Sequence, residues 1–356
     1  MKEVKGSRGF ALPILLILLS ALAAFVAVKT LRSFGGFELR ASIRTDKALL
    51  LARDALIAHA AWEDSSPGSL LCPDFDNSGA ADLNCSSLAV GRLPWRTLGI
   101  EMPLDGSGEC LWYAISPNAR SNVAPALRGS GGTMPAMNPS YLGDLTVRDS
   151  ATGMSQPVVA VVIAPGRPLA GQSRTANATG CNGGPASAFL ESRSGIDNAI
   201  GGPLFITGTA STTFNDRVMA ITSEKLFTAA KARVLIALAG RDNPATNGLR
   251  GLYASGATAA SLLADDGSGR LKLNFLDAAV LAAFSPPAGV LPKADGDCSR
   301  YDTVGNYTAE WLCFNRWLEF TQYIPTGSDS ARLSLPGWQA DFSVANPPRL
   351  VRTTHP

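Results

Sequence analysis

The side chains that could carry chemistry gather in one short stretch. Asp74-Phe75-Asp76-Asn77-Ser78-Gly79-Ala80-Ala81-Asp82 sets oxygen-bearing side chains at alternating places. Counted as an EF-hand-like loop, Asp74, Asp76, Ser78 and Asp82 fall at positions 1, 3, 5 and 9, with Gly79 at position 6 for the sharp turn. Hard oxygen ligands of this kind suit Ca²⁺ or Mg²⁺. Such loops carry a bidentate Glu at position 12, where this chain has Cys85. A full cage would then need a carboxylate from elsewhere, or more water. The alternative is an Asx-rich turn stapled by Cys72 and Cys85.

Cys72, Cys85, Cys110, Cys181, Cys298 and Cys313 are the only cysteines. Their even number, all downstream of an apolar N-terminal run, makes disulfides the expectation. Short spacing favours Cys72–Cys85 and Cys298–Cys313, which leaves Cys110–Cys181. No CxxC pair supports a redox motif or a zinc ribbon. The chain has 2 histidines, His59 and His355. That removes most zinc-hydrolase and Ser-His-Asp chemistry. A cysteine nucleophile needs a base, and His59 lies in a helical stretch. No nucleophile and base are brought together, so an enzyme is not expected. The glycines at 129–132 and 180–184 stand in loops without a strand-to-helix context. Trp311, Phe314, Trp317, Phe320 and Tyr323 could form a ligand patch, although core packing is the commoner use of such residues.

Charge narrows the partners. The chain has 31 basic and 29 acidic residues, a net charge of +2. No basic excess exists to grip phosphates, so nucleic acid is not an expected partner. Lys2, Lys5 and Arg8 against Glu3 account for the whole net charge within the first nine residues.

Those residues lead into the elements that position the rest. Phe10 to Val28 is a run of nineteen uncharged residues. As a helix it spans about 28 Å, close to a bilayer core. Lys29 and Arg32 close it. Gly35-Gly36 then interrupts the pattern, at about 1 kcal/mol per Gly relative to Ala. Beyond it Leu49, Ala52, Leu56 and Ala60 form one apolar stripe, with Glu38, Arg40, Arg44, Asp46, Lys47, Arg53 and Asp54 as polar surface. Ser65-Ser66-Pro67-Gly68 stops the helix. A secretory signal cut near Ala21, Ala23 or Ala27, and a plain single-span anchor, are two readings of this start.

A third reading accounts for more residues. A short basic leader ending in Gly9-Phe10-Ala11-Leu12, ahead of an apolar run, resembles the type IV prepilin leader. The long helix that follows, half apolar and half packed on a head, resembles the layout of type IV pilins and pseudopilins. Leu71-Cys72-Pro73-Asp74, Asp76-Asn77 and Gly91-Arg92-Leu93-Pro94-Trp95-Arg96-Thr97-Leu98-Gly99 are similar to a group of pilin-like proteins with enlarged heads. The resemblance implies cleavage by a prepilin peptidase after Gly9, methylation of the Phe10 amine, and other pilin-like subunits as partners. One departure is Ile14. It stands at the fifth mature position, where major pilins typically carry the Glu that sets filament register. The tip pseudopilin of type II secretion filaments is similar in lacking that Glu and in having a large head.

The remainder reads as a strand-rich head. Asp105-Gly106 is a hairpin signal followed by a strand over 109–115. Residues 157–164, 204–207 and 217–222 read as strands. Ser223 caps a helix to Ala239, ended by Gly240. Residues 276–284 read as a second helix, and 311–324 as a hairpin around Asn315. Long loops cover 116–156, 166–202 and 240–269, and Asn177 and Asn306 begin sequons.

The fold class expected is α+β: a long N-terminal membrane-spanning helix packed on a large, loop-rich, disulfide-bonded head. Its parts are a leader over 1–9, a helix over 10–62 with a transmembrane stretch over 10–28, and a head over 63–356 with a possible subdivision near 240. The function expected is a minor pilin or pseudopilin that initiates or caps a type IV pilus or type II secretion pseudopilus. The location expected is the inner membrane, single-pass, with the head in the periplasm or at a filament tip on the cell surface. The alternative is a membrane-anchored or secreted periplasmic binding protein or hydrolase.

Overall fold

Alanine, leucine and long charged residues dominate the start of the chain, and they build one helix. In the computed structural model, which describes residues 11–63, 66–124, 127–129, 132–176, 180–240, 248–254, 256–262, 267, 269 and 310–353, α1 runs over Ala11–Ala61, 51 residues. It passes through Gly35-Gly36 unbroken, since two glycines lower helix propensity without forbidding it. The processing pair Gly9 and Phe10, the helix over 276–284, Cys298 and both sequon asparagines lie outside the described residues. So do the side chains of Ile14 and Cys313.

The expected stripe is the buried one. Leu49, Ala52, Leu56 and Ala60 are buried, with Thr45, Ala48 and Ala61 beside them. Each buried leucine contributes about 1.5–3 kcal/mol. Leu39, Ile43 and Leu50 lie on the exposed side.

The membrane-spanning part of the expected fold is corrected. Among the described residues no helix is long and apolar enough to cross a membrane. Beyond the stretch over 10–28 the same helix carries Glu38, Arg40, Arg44, Asp46, Lys47, Arg53 and Asp54, which hydrocarbon excludes, so no span extends into that part. Its buried apolar stripe is spent on the head rather than on lipid. The single-pass inner-membrane location rested on that span, over residues 10–28, and is corrected with it.

The head is mixed α and β. β1 (Val90–Arg92), β2 (Trp112–Ile115), β5 (Ala160–Ala164) and β9 (Arg217–Ile221) form an antiparallel sheet in the order β1-β2-β5-β9. β3 (Leu145–Asp149), β4 (Ser155–Val158) and β8 (Leu204–Thr207) form a second, β4-β3-β8, in which β3 and β8 are parallel. β6 (Ser192–Arg193) and β7 (Ile196–Asp197) make a small hairpin. β10 (Gln322–Pro325), β11 (Ser330–Leu335), β12 (Trp338–Ser343) and β13 (Arg349–Arg352) form a C-terminal meander.

Alternation explains the layering. On β2 and β5, Tyr113, Ile115, Ala160 and Val162 face a core shared with α1 and with α2 (Ser223–Ala239). Trp112, Ala114, Val161 and Ile163 face the opposite way, onto Leu145, Val147, Val158 and Phe205 of the second sheet. A strand covered on both sides reads as continuous apolar sequence, which is why Val158 to Ala164 looks like one strand. The chain instead divides there, giving β4 to one sheet and β5 to the other. The cap of α2 is Thr222, whose hydroxyl accepts from Lys225 N at 3.5 Å, one residue before the serine expected.

The meander covers the far side of α2, where Trp338 Nε1 donates to Thr228 O at 2.8 Å. Leu249 and Tyr253 of α3 (Gly248–Ala254), Leu333 and Phe342 belong to the same core as Leu49 and Leu226. The aromatic segment is not a hairpin around Asn315. α4 (Glu310–Phe314) and a 3₁₀ turn over Trp317–Phe320 precede β10. Trp311, Phe314, Trp317 and Tyr323 are buried, and Asn315 is held inside by Met137 N at 2.6 Å.

Candidate functional site

Two neighbouring stretches of the chain meet in space. The Asp74–Asp82 loop rests on the Gly91–Gly99 segment. Asp74 N donates to Arg92 O at 2.9 Å and Arg92 N to Asp74 O at 2.7 Å, which hooks the loop onto β1. Arg96 N donates to Gly79 O at 2.8 Å, and Ala81 N to the Thr97 hydroxyl at 2.9 Å. A Cβ at Gly91 would lie 2.7 Å from Asp74 O and 2.8 Å from Pro73 Cβ, so only glycine admits this approach. The disulfide Cys72–Cys85 closes the base of the loop.

Within the loop the backbone turns left-handed twice, at Asn77 (φ 61°) and Gly79 (φ 84°). Asparagine and glycine are the residues that tolerate this region. The turns aim amides inward. Asp74 accepts from Ser78 N at 3.1 Å and Gly79 N at 2.7 Å. Asp76 accepts from Ser78 N at 3.0 Å, and Asp82 from Phe75 N at 2.6 Å. Burial pushes the Asp74 carboxyl above its ordinary range. The Ser78 side chain, first among several hydrogen bonds, holds Asp76 below it.

Asp74, Asp76 and Asp82 each offer a carboxylate oxygen within 4.8 Å of the others. Oxygens around one Ca²⁺ sit at about 2.3–2.6 Å from it, so that spread fits a single ion. The Ser78 hydroxyl accepts from Ala80 N at 3.2 Å, which leaves it a second lone pair. Cys85, at the twelfth position, is consumed by its disulfide. A cation held there would need solvent or another carboxylate in place of the missing glutamate.

A second cluster lies beside the loop, and sequence reasoning missed it. Arg92 is buried with its guanidinium 3.8 Å from the Trp112 ring and 4.2 Å from the Phe189 ring. It donates to Cys110 O at 3.2 Å and to Asn182 O at 2.6 Å. Burial lowers it to about 10. Glu109 pairs with Arg174 at 3.1 Å and accepts from Asn182. The disulfide Cys110–Cys181 ties the same two segments together. Arg92 was visible only as one residue of the Gly91–Gly99 stretch. Two of its partners, Asn182 and Phe189, lie some ninety positions or more away, and no spacing rule joins them to it. These groups have no exposed acid, base or nucleophile, and they fasten the 172–189 segment to β1 and β2.

No family model, no curated protein and no solved structure matches the chain.

Proposed function

We propose that the chain is a minor pilin or pseudopilin, a structural subunit that initiates or caps a type IV pilus or a type II secretion pseudopilus. The observation that carries this reading is the way the head holds α1. Among the described residues its contacts with the helix begin at Ala41, where the turn at Gly106 meets the Ala41 carbonyl. About 45 Å of helix, from Ala11 to Arg40, runs ahead of that point. A helix held along its C-terminal part can lie alongside like helices while its head stays outside the bundle. The pilin-like pattern at Gly9-Phe10 supports the same reading from the sequence.

Ile14 supports a place at the end of the filament. Where the family carries Glu there, the carboxylate neutralises the terminal amine of a neighbouring subunit. An unpaired charge in an apolar bundle costs several kcal/mol, on the order of 3–5. Ile14 cannot accept that amine, so this subunit is least disadvantaged where no earlier one needs it. Its partners are other pilin-like subunits and a prepilin peptidase. The Asp74–Asp82 loop is proposed as a weak Ca²⁺ loop that stiffens the head next to β1.

N-terminal sequencing of the mature chain from its own host tests the reading. The expected start is Phe10. A start near Ala24 or Val28 would instead support a secreted binding protein or hydrolase.

A further inference from the structure

Asp216, just before β9, and Glu191, just before β6, are buried side by side, Asp216 completely and Glu191 at 8% exposure. Their hydrogen bonds account for every oxygen but one. Asp216 Oδ2 accepts from Glu191 N at 2.9 Å and Asn198 Nδ2 at 2.9 Å. Glu191 Oε2 accepts from Asn215 N at 2.9 Å and Asp216 N at 3.1 Å, and Oε1 from Gln172 Nε2 at 2.8 Å. Asp216 Oδ1 is buried with no donor.

Among the described residues no cation answers the pair. Arg174 is directed to Glu109, to three backbone carbonyls and to Gln172 Oε1. Arg193 stacks on Phe214 and donates to Thr209 O. Arg217 reaches out to Ser42 and Asp46 on α1. Among the neighbouring acids, Asp197 accepts from Ala199 N and Asp105 from Gly166 N. Two adjacent buried carboxylates without a cation would repel in a low-dielectric interior. One hydrogen on Oδ1 removes the repulsion and makes the oxygen that lacks a donor a donor itself.

We propose that the folded chain holds one proton between Asp216 and Glu191, and that this proton latches the β6–β7 layer to the start of β9. Asn198 extends the latch, since its side chain also bonds Ile206 N at 2.9 Å and Ile206 O at 3.1 Å on β8. Both carboxyls are shut away from solvent, so the pair is a structural latch and not a catalytic dyad. Burial first, and the Glu191 charge second, push the Asp216 carboxyl well above its ordinary 3.8. In the unfolded chain Asp216 releases its proton near that ordinary value. The folded chain therefore binds the extra proton from there up to the raised value, and its stability falls as pH rises through that interval.

Infrared spectroscopy and thermal unfolding of the full chain test this. At neutral pH the wild type should show the C=O stretch of a protonated buried carboxyl, and Asp216→Asn should lose it. The side-chain amide of that variant can donate where the acid O–H did, so its Tm should decline less with pH than the wild type's. Glu191→Gln removes the sharing carboxylate and should shift the band's frequency, which keeps the test open if the first variant does not fold. Absence of the band in the wild type overturns the proposal. So does a band that neither variant moves, because it would belong to another carboxyl such as Asp105.

Discussion

Gly106 donates its backbone N–H to the Thr45 hydroxyl at 2.8 Å, and Thr45 donates in turn to the Ala41 carbonyl at 3.1 Å. The turn that begins at Asp105 thus lies flat on α1 at Ala41 and Thr45. Asp105 braces the turn from within, accepting from Ser107 N at 2.7 Å and Glu109 N at 3.0 Å through one oxygen and from Gly166 N at 2.8 Å through the other.

Gly106→Ala should loosen that grip. The added Cβ would stand 2.1 Å from Ala41 O, and backbone cannot yield as a side-chain tip can. A loss of about 1–3 kcal/mol is expected, the usual range for overpacking. Gly183→Ala is the control, since its Cβ would meet only Thr175 O at 3.7 Å. Denaturant unfolding of the two variants should separate them, and equal midpoints would count against a tight contact at Gly106.

The Cys72–Cys85 bridge closes a short loop, with a sequence separation of 13. Replacing both cysteines by serine should cost about 3 kcal/mol, mostly through the unfolded state. The Asp74–Asp82 loop should also become more open to proteolysis than the Gly91–Gly99 segment beneath it. A double variant as stable and as resistant as the parent would mean that the hydrogen bonds to Arg92 and Thr97 suffice alone.

EDTA should lower the Tm of the chain purified with Ca²⁺, because a ligand bound only to the folded state stabilises it by mass action. At a tenfold excess over Kd the effect is about 1.4 kcal/mol. Asp76→Ala should abolish the sensitivity. No response to EDTA would leave the loop as a stapled Asx turn, held by its own amides.

Much of this was legible in the residues, for physical reasons that can be named. The stripe Leu49, Ala52, Leu56 and Ala60 showed itself because a helix with one buried side keeps a fixed period. Helix α2 showed its Gly240 stop in plain view, while its cap is Thr222, one residue before the Ser223 expected. The Cys72–Cys85 and Cys110–Cys181 pairs followed from short spacing and what it left over. The membrane span over 10–28 is corrected, because among the described residues no helix is long and apolar enough to cross a membrane. The meander β10–β13 was not anticipated, because its strands of four to six residues alternate too briefly to stand out. Arg92 between Trp112 and Phe189 depends on contacts across about a hundred positions, which local pattern cannot reach. The Asp74 loop was recognised by its oxygens, while the self-satisfying amides inside it came from two left-handed residues.

Gly9→Ala should block maturation. The resemblance places the scissile bond after Gly9, and peptidases of this type need a small, flexible residue there. The variant should keep its leader and run more slowly on a gel than the mature chain. A variant of normal mobility, with Phe10 at its start, would count against prepilin-type processing.

The placement of the subunit is tested most directly by labelling the head and imaging sheared filaments. An exposed site such as Met154, 73% exposed, replaced by a labelled cysteine, leaves the core and the grip on α1 untouched. The account predicts label at one end of each filament and little elsewhere. Label spaced along the shaft, or filaments that carry none, would contradict it.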